Sequence, residues 1–421
     1  MQDSLHLYFD GLAHPVRLTG CAELTDDFPT LFPYRDYREG EQDDDPVISI
    51  QLEAGEYHLS TSWLDKMVSY TDKVDVLCDL IAKLAVARSF TDLEALYLHA
   101  AAVEMNGRVV VFPSQYRAGK SFLTACLLAE GHRYVGDDIV PLTLDSCKVR
   151  SPGVSPRLRM PLPDTTDETS RQFIEHHTAL TGKRYAYLEL EPELMVDRDE
   201  LLDMGAFVLL EREEGAQARL EELPVATVFQ QLIKQNFARE VDGSRILSTL
   251  TQAVSNAQCI KLRYDRADEA VSLLTDHFAS WPSQANVLQF ESGSPGFSAN
   301  VPEVNATGSN APEANVLEEG SDECFIRNEL VQKIRIEGEN FLASPDGKAI
   351  YHLNQVGSGI WELLSEPTSK ELIISTLETA FPGTEKSIID QDVTKILDRF
   401  QSTQLISSWL NTQHNMSYKH K

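Results

Sequence analysis

The stretch that most constrains this chain is residues 98–141, LHAAAVEMNGRVVVFPSQYRAGKSFLTACLLAEGHRYVGDDIVP. Four apolar residues, 109–112, have the length and composition of a buried strand. Small and polar residues then lead through Gly119, Lys120 and Ser121 into an apolar-rich run that ends before Gly131. A strand, a phosphate loop and a helix with a glycine stop are what that order encodes. Backbone N–H groups at such a helix start point at the loop's contents, the lysine can reach phosphate, and a serine hydroxyl can reach Mg²⁺. The pattern G-x-x-x-x-G-K-[ST] is met except at its first position, where Ser114 stands for glycine.

A second signal follows in the right order. Residues 134–136 read as the next strand and end in Asp137 and Asp138. Carboxylates at a strand end can bind Mg²⁺ or accept a proton. His99 opens an apolar stretch, where a histidine taken alone reads as a hydrogen-bonded core residue.

His99, the loop 114–121 and the Asp137-Asp138 pair together resemble the catalytic domain of the HPr serine kinase/phosphorylase family. The resemblance implies a P-loop kinase that uses ATP and Mg²⁺. Its nucleotide would be cradled by Ser114, Gln115, Tyr116, Arg117, Ala118, Gly119, Lys120, Ser121 and Phe122, with Lys120 on the β-phosphate. Ser121 would hold Mg²⁺, Asp137 would deprotonate the acceptor hydroxyl, Asp138 would sit near the metal, and His99 would hold or polarise an aspartate. Ser114 and Arg117 replace glycines of the family pattern, and the family's E-x-R-G segment is absent.

Upstream, residues 4–9 and 47–52 alternate apolar and polar, predicting strands of an N-terminal annex over residues 1–90. Val74, Leu77, Ile81 and Leu84 predict an amphipathic helix over 73–88, packed against the kinase sheet. Downstream, Arg157 and Arg159 lie two apart on extended chain and point the same way. They either meet phosphate or acidic groups or face solvent on an edge strand. Lys183-Arg184-Tyr185 forms a second basic cluster, and one of these clusters is expected near the nucleotide or acceptor. Further strands are expected over 204–210 and 258–264, with helices over 225–237 and 268–278. The kinase-like domain is thus expected to span 91–282.

Residues 283–325 are rich in Asn, Ala, Ser, Gly, Pro and Glu and read as a flexible linker. Behaving as a coil, it would separate its ends by about 35 Å. The remaining segment, 326–412, shows two short strands, a Pro345-Asp346-Gly347 turn and a third strand. Three helices follow, with Asn354 as the first cap and Thr368-x-x-Glu371 as a capping box for the second, whose apolar stripe includes Phe381. The third strand with Leu353, Asn354, Gly357, Ile360 and Trp361 in order is similar to the PqqD family of peptide-binding modules. That resemblance implies a winged-helix-like fold that takes the leader of a ribosomally made precursor peptide as an added strand, using Ala349, Ile350, Tyr351, Val393 and Ile396.

The expected class is therefore a multidomain α/β protein with α+β elements: a β-rich annex, a P-loop HPr kinase-like domain and a PqqD-type domain. The expected function is phosphorylation of a precursor-peptide hydroxyl. A peptide chaperone that binds nucleotide without phosphotransfer, and a kinase acting on a carrier protein, are the alternatives. The 65 acidic against 37 basic residues give a net charge of −28, which disfavours nucleic acid and anionic membrane surfaces. Six scattered cysteines, no basic apolar N-terminal segment and no long apolar run point to a cytoplasmic protein with reduced thiols. Self-association is left open.

Overall fold

The computed structural model describes residues 4–34, 36–41, 45–113, 118–238, 240–281, 291–292 and 323–409. The chain divides into two compact units, residues 1–241 with 245–288, and residues 242–244 with 289–421. Six strands open the first unit: β1 (Ser4–Phe9), β2 (Val16–Thr19), β3 (Tyr37–Gly40), β4 (Ile48–Glu53), β5 (Glu56–Thr61) and β6 (Leu64–Tyr70). They form one sheet in the order β3-β1-β2-β4-β5-β6. A short helix, α1 (Phe28–Leu31), carries Phe28 into an aromatic cluster with Tyr37, at 5.1 Å, and Phe32, at 5.2 Å.

Helix α2 (Lys73–Thr91) begins where the Asp72 carboxylate accepts the N–H of Val74 at 2.9 Å and of Asp75 at 3.3 Å. The predicted stripe is joined by buried Val76, Leu80, Ala85 and Ala87, so the helix is apolar on more than one face. It therefore lies against β5 and β6 of the annex sheet rather than on the phosphate-loop sheet. Its core extends from Leu7, Leu18 and Ile50 to Tyr97, Ile139 and Tyr187, so the first 90 residues share a core with the segment after them.

Strands β7 (Ala95–Leu98), β8 (Ala101–Met105) and β9 (Arg108–Phe112) lead to α3 (Lys120–Ala129), then β10 (Arg133–Gly136) and β11 (Val140–Thr143). The chain continues through β12 (Arg157–Arg159), α4 (Glu168–His177), β13 (Thr178–Thr181), β14 (Tyr185–Leu188), β15 (Asp203–Arg212) and β16 (Arg219–Glu222). Helices α5 (Val225–Gln235) and α6 (Gly243–Ser255), strand β17 (Gln258–Tyr264) and helix α7 (Ala267–His277) complete the unit. The second sheet has the order β10-β8-β9-β15-β17-β16, with β9, β15 and β17 parallel. Val110 and Phe112 of β9 face Leu123 and Leu127 of α3 and Val271 and Leu274 of α7 in one core. On its other side α3 meets Ile174 of α4, Leu158 of β12 and Leu188 of β14. The small sheet β12-β14-β13 is thereby held beside the start of α3. Neither α4, which is largely polar, nor α6 is among the expected helices, although Ile246, Leu247, Leu250, Ala253 and Val254 of α6 recur at helical spacing and are buried.

In the second unit, β18 (Glu291–Ser292), β19 (Cys324–Arg327), β20 (Gln332–Ile336), β21 (Glu339–Ala343) and β22 (Ile350–Leu353) precede α8 (Gln355–Leu363). After it come β23 (Thr368–Ser369), α9 (Lys370–Ala380), α10 (Lys386–Ser402) and β24 (Ile406–Trp409). The sheets are β18-β20-β21-β22 and β23-β19-β24. Trp361, 2% exposed, centres a core with Ile360, Ile373, Leu397 and Phe400. Asn354 caps α8 by accepting the Gly357 N–H at 2.8 Å.

Three expectations need correction here. The cap of α9 is Ser369, which accepts the Leu372 N–H at 3.3 Å, whereas the Thr368 hydroxyl donates back to the Leu363 and Glu366 carbonyls. Phe381 ends α9 and is 38% exposed, off the buried stripe. Most of the 283–325 linker lies outside the described residues, but Glu291 and Ser292 within it pair with β20, and β19 begins at Cys324. No helix among the described residues is long and apolar enough to cross a membrane.

Candidate active site

The site gathers at the start of α3, at the C-terminal ends of the parallel strands, where open α/β sheets leave their crevice. Ser114, Gln115, Tyr116 and Arg117 lie outside the described residues. Ala118 and Gly119 follow, and Gly119 is the N-cap of α3 with φ +90°. A Cβ at Gly119 would come within 2.9 Å of the Tyr264 hydroxyl, so both conformation and space require glycine. Among the described residues no side chain caps this helix end, which leaves first-turn N–H groups suited to an anion.

Lys120 is 5% exposed. Burial lowers its pKa, while Asp137 and Asp138 oppose that shift. Phe122 is half-buried and packs against the cores on both sides of α3, so most of its role is structural. The Ser121 hydroxyl lies beside the Asp137 carboxyl.

The two aspartates leave β10 in different states. Asp137 is 9% exposed; its Oδ1 accepts the Asp138 N–H at 3.0 Å, and its Oδ2 is buried without a hydrogen-bond partner. Burial, and then the adjacent Asp138 charge, push its pKa up to about 7, against the pull of Arg157, Ser121 and Lys120. Asp138 has φ +64°, a left-handed conformation that a β-carbon makes costly. Arg157 holds its Oδ2 in an ion pair, and its Oδ1 lies 4.0 Å from Nε2 of His99. His99 sits between β7 and β8, its backbone N–H bound to the Gln235 carbonyl at 2.8 Å. Burial, and then Lys120, lower its pKa, so the imidazole is neutral at pH 7.

Arg157 and Arg159 share one face of β12, as the two-residue spacing requires. Of the two readings open in the sequence, the contact with acidic groups holds for Arg157. Its guanidinium also meets the Cys78 thiol and lies 4.6 Å over the Tyr185 ring. Burial works most strongly against that charge, but Asp138, Cys78, Tyr187 and Asp137 together outweigh it and the pKa is raised. Lys183 and Arg184 go elsewhere: Arg184 pairs with Asp75 at 2.9 Å, and the Lys183 N–H meets Asp72 at 3.3 Å. Both thus cover the start of α2.

A cavity of about 530 Å³ opens at the start of α3, lined by the cations Lys120, Arg157, Arg159 and Arg212 with Asp138 and Tyr264, while Asp137 and His99 stand outside its lining. Sequence reasoning missed Arg212, Tyr264 and Cys78, while Tyr185 of the second basic cluster lines the cavity. Arg212 and Tyr264 end the parallel strands β15 and β17, so the strand ends beside the phosphate-loop strand were the signal to read.

In the second unit β22 is an edge strand of its sheet. Ile350 and Tyr351 are half-buried on it, as is Ala349 just before it. Ile396 is partly buried on α10, whereas Val393 is 1% exposed and lies within the core.

No curated protein matches this chain. Among solved structures, the Hpr(Ser) kinase/phosphatase from Coxiella burnetii is similar at 13% identity, over 44% of this chain and 90% of that one, with a TM-score of 0.23. Residues 339–406 match the family model described as Coenzyme PQQ synthesis protein D (PqqD), and the C-terminal unit accordingly carries a PqqD domain.

Proposed function

We propose that this chain is a phosphotransferase that uses ATP and Mg²⁺ to phosphorylate a hydroxyl of a ribosomally synthesised precursor peptide, whose leader binds the PqqD domain. The observation that carries the reading is the cavity at the start of α3. Lys120, Arg157, Arg159 and Arg212 converge there in a chain of net charge −28, beside the Asp138 carboxylate, with Asp137 buried next to it in the chain. A cationic cavity on a helix N-terminus selects phosphate. The Ser121 hydroxyl and the Asp138 carboxylate are hard oxygen donors that suit Mg²⁺, and the unpartnered Oδ2 of Asp137 is a buried acceptor waiting for a donor.

In this reading Lys120 and the first-turn N–H groups hold the phosphates. Mg²⁺, when bound, stabilises the charge that develops on the transferred group. Asp137 takes the acceptor's proton, because a carboxyl with a pKa near 7 is both available and basic enough at neutral pH. Arg157 holds Asp138 in an ion pair, and the His99 ring stands 4.0 Å from its other carboxylate oxygen. On the second unit, Ala349, Ile350 and Tyr351 offer an edge to which a leader adds as a strand, with Ile396 beside it. Tethering leader and catalytic site on one chain raises the local concentration of the acceptor. The cytoplasm suits the free cysteines.

The test is the intact mass of a precursor peptide after incubation with the protein, ATP and Mg²⁺. Gain of one phosphate supports the kinase. Leader binding with no mass gain would move the reading to a chaperone, and phosphorylation of a carrier protein without the PqqD domain to a carrier kinase.

A further inference from the structure

Away from the cavity, His176 and His177 end α4, and Glu191 lies three residues beyond β14. Between them the chain makes the β13–β14 hairpin, so the three residues meet at its base. The His177 ring is packed 4.1 Å from the Phe173 ring, and its side chain is 9% exposed. Its Nδ1 lies 2.8 Å from the Phe173 carbonyl, an acceptor, so Nδ1 carries the proton and Nε2 presents its lone pair. That Nε2 faces Oε2 of Glu191 at 2.8 Å. A lone pair facing a carboxylate is repulsive unless a cation sits at Nε2, either a proton or a metal ion. The His176 ring stands 5.0 Å from that of His177 and supplies a third donor.

We propose that His176, His177 and Glu191 form a binding site for a divalent transition-metal ion of the Zn²⁺ class. Their donor atoms lie within 4.8 Å of one another. Ligands bound at about 2.1 Å lie roughly 3–4 Å apart, so a contraction of about 1–2 Å at most closes the set, and the exposed His176 ring provides it by rotation. Two imidazoles and a carboxylate suit Zn²⁺, Ni²⁺ or Cu²⁺ rather than Mg²⁺, and water completes the shell. The hydrogen bond from Nδ1 of His177 to a backbone carbonyl is the outer contact that orients a metal-bound histidine. Bound there, the ion clasps the base of the hairpin that carries Tyr185, on which Arg157 rests. It therefore stabilises the sheet β12-β14-β13 by binding only the folded chain.

The full-length, metal-stripped chain is titrated with Co²⁺ and then Zn²⁺ in excess Mg²⁺, which keeps hard-oxygen sites filled. Visible Co²⁺ absorption and the unfolding temperature are read. The site predicts one equivalent bound without the near-ultraviolet thiolate band, displacement by Zn²⁺, and a rise in unfolding temperature. It also predicts at least tenfold weaker binding in both His176→Ala and Glu191→Gln, exposed positions whose change leaves the metal-free fold intact. Absence of a stoichiometric Co²⁺ complex, or wild-type affinity in the His176→Ala/Glu191→Gln double variant, overturns the proposal and leaves an imidazolium–carboxylate pair.

Discussion

Arg157 closes on the Asp138 carboxylate while Asp137, the next residue back, keeps a buried oxygen without a partner. Asp138 is thereby held in an ion pair, and Asp137 is held where ionisation is costly. Separating two neighbouring acids in this way gives each a different task.

The cost at Asp137 sets the first prediction. Its folded pKa, about 7, lies above the unfolded value near 4, so the folded state binds the extra proton and stability falls as pH rises between them. Asp137→Asn removes that penalty. Unfolding by denaturant should show the variant more stable than the parent at pH 8, by on the order of a few kcal/mol, with the gain gone near pH 4. A difference that does not change with pH would refute the assignment.

Arg157→Ala removes the cation from a partly buried pair and from the Tyr185 face. A loss of about 1–3 kcal/mol is expected, between the surface and buried limits for ion pairs. Arg157→Lys should recover only part of it, since one ammonium cannot meet Asp138, Cys78 and Tyr185 together. Thermal unfolding of the two variants checks the ranking.

At Gly119 both the positive φ and the Tyr264 hydroxyl oppose a side chain. Gly119→Ala should cost about 1–2 kcal/mol and abolish the thermal shift produced by ATP with Mg²⁺. Adding Tyr264→Phe should relieve the steric part alone, leaving stability short of the parent. Full recovery of stability in the double variant would show that the backbone conformation is not the constraint.

The PqqD domain separates a partly buried residue from a fully buried one on the same helix. Ile396→Ala should weaken leader binding about tenfold, read by fluorescence polarisation on the full chain, with a smaller loss of stability than a substitution at Val393. Val393→Ala should instead destabilise by about 1–3 kcal/mol and leave leader affinity within a few-fold. The reverse pattern would place the groove on another face of α10.

How much of this was legible depends on where each partner lies in the chain. Gly119, Lys120, Ser121 and the Asp137-Asp138 pair stand in one continuous strand, loop, helix and strand, and local spacing carries that information. Which basic cluster would reach the site was not legible: Arg157 and Arg159 line the cavity, whereas Arg184 meets Asp75, 109 residues away, and nothing local to a basic cluster says which acid it will meet. Cys78, Tyr185 and Arg212 reach the site from α2, β14 and β15, so only tertiary packing brings them together. The His176-His177-Glu191 group was overlooked for the same reason: a hairpin intervenes between its ligands. Helix α2 was read with the right extent and the wrong neighbour, because an apolar stripe reports that a face is buried but not against what.

The most direct test of the central claim is intact-mass analysis of a precursor peptide incubated with ATP, Mg²⁺ and the parent chain, Lys120→Ala or Asp137→Asn. The account predicts a gain of one phosphate with the parent and none with either variant, although both still bind the leader. No gain with the parent, or an undiminished gain with both variants, would contradict it.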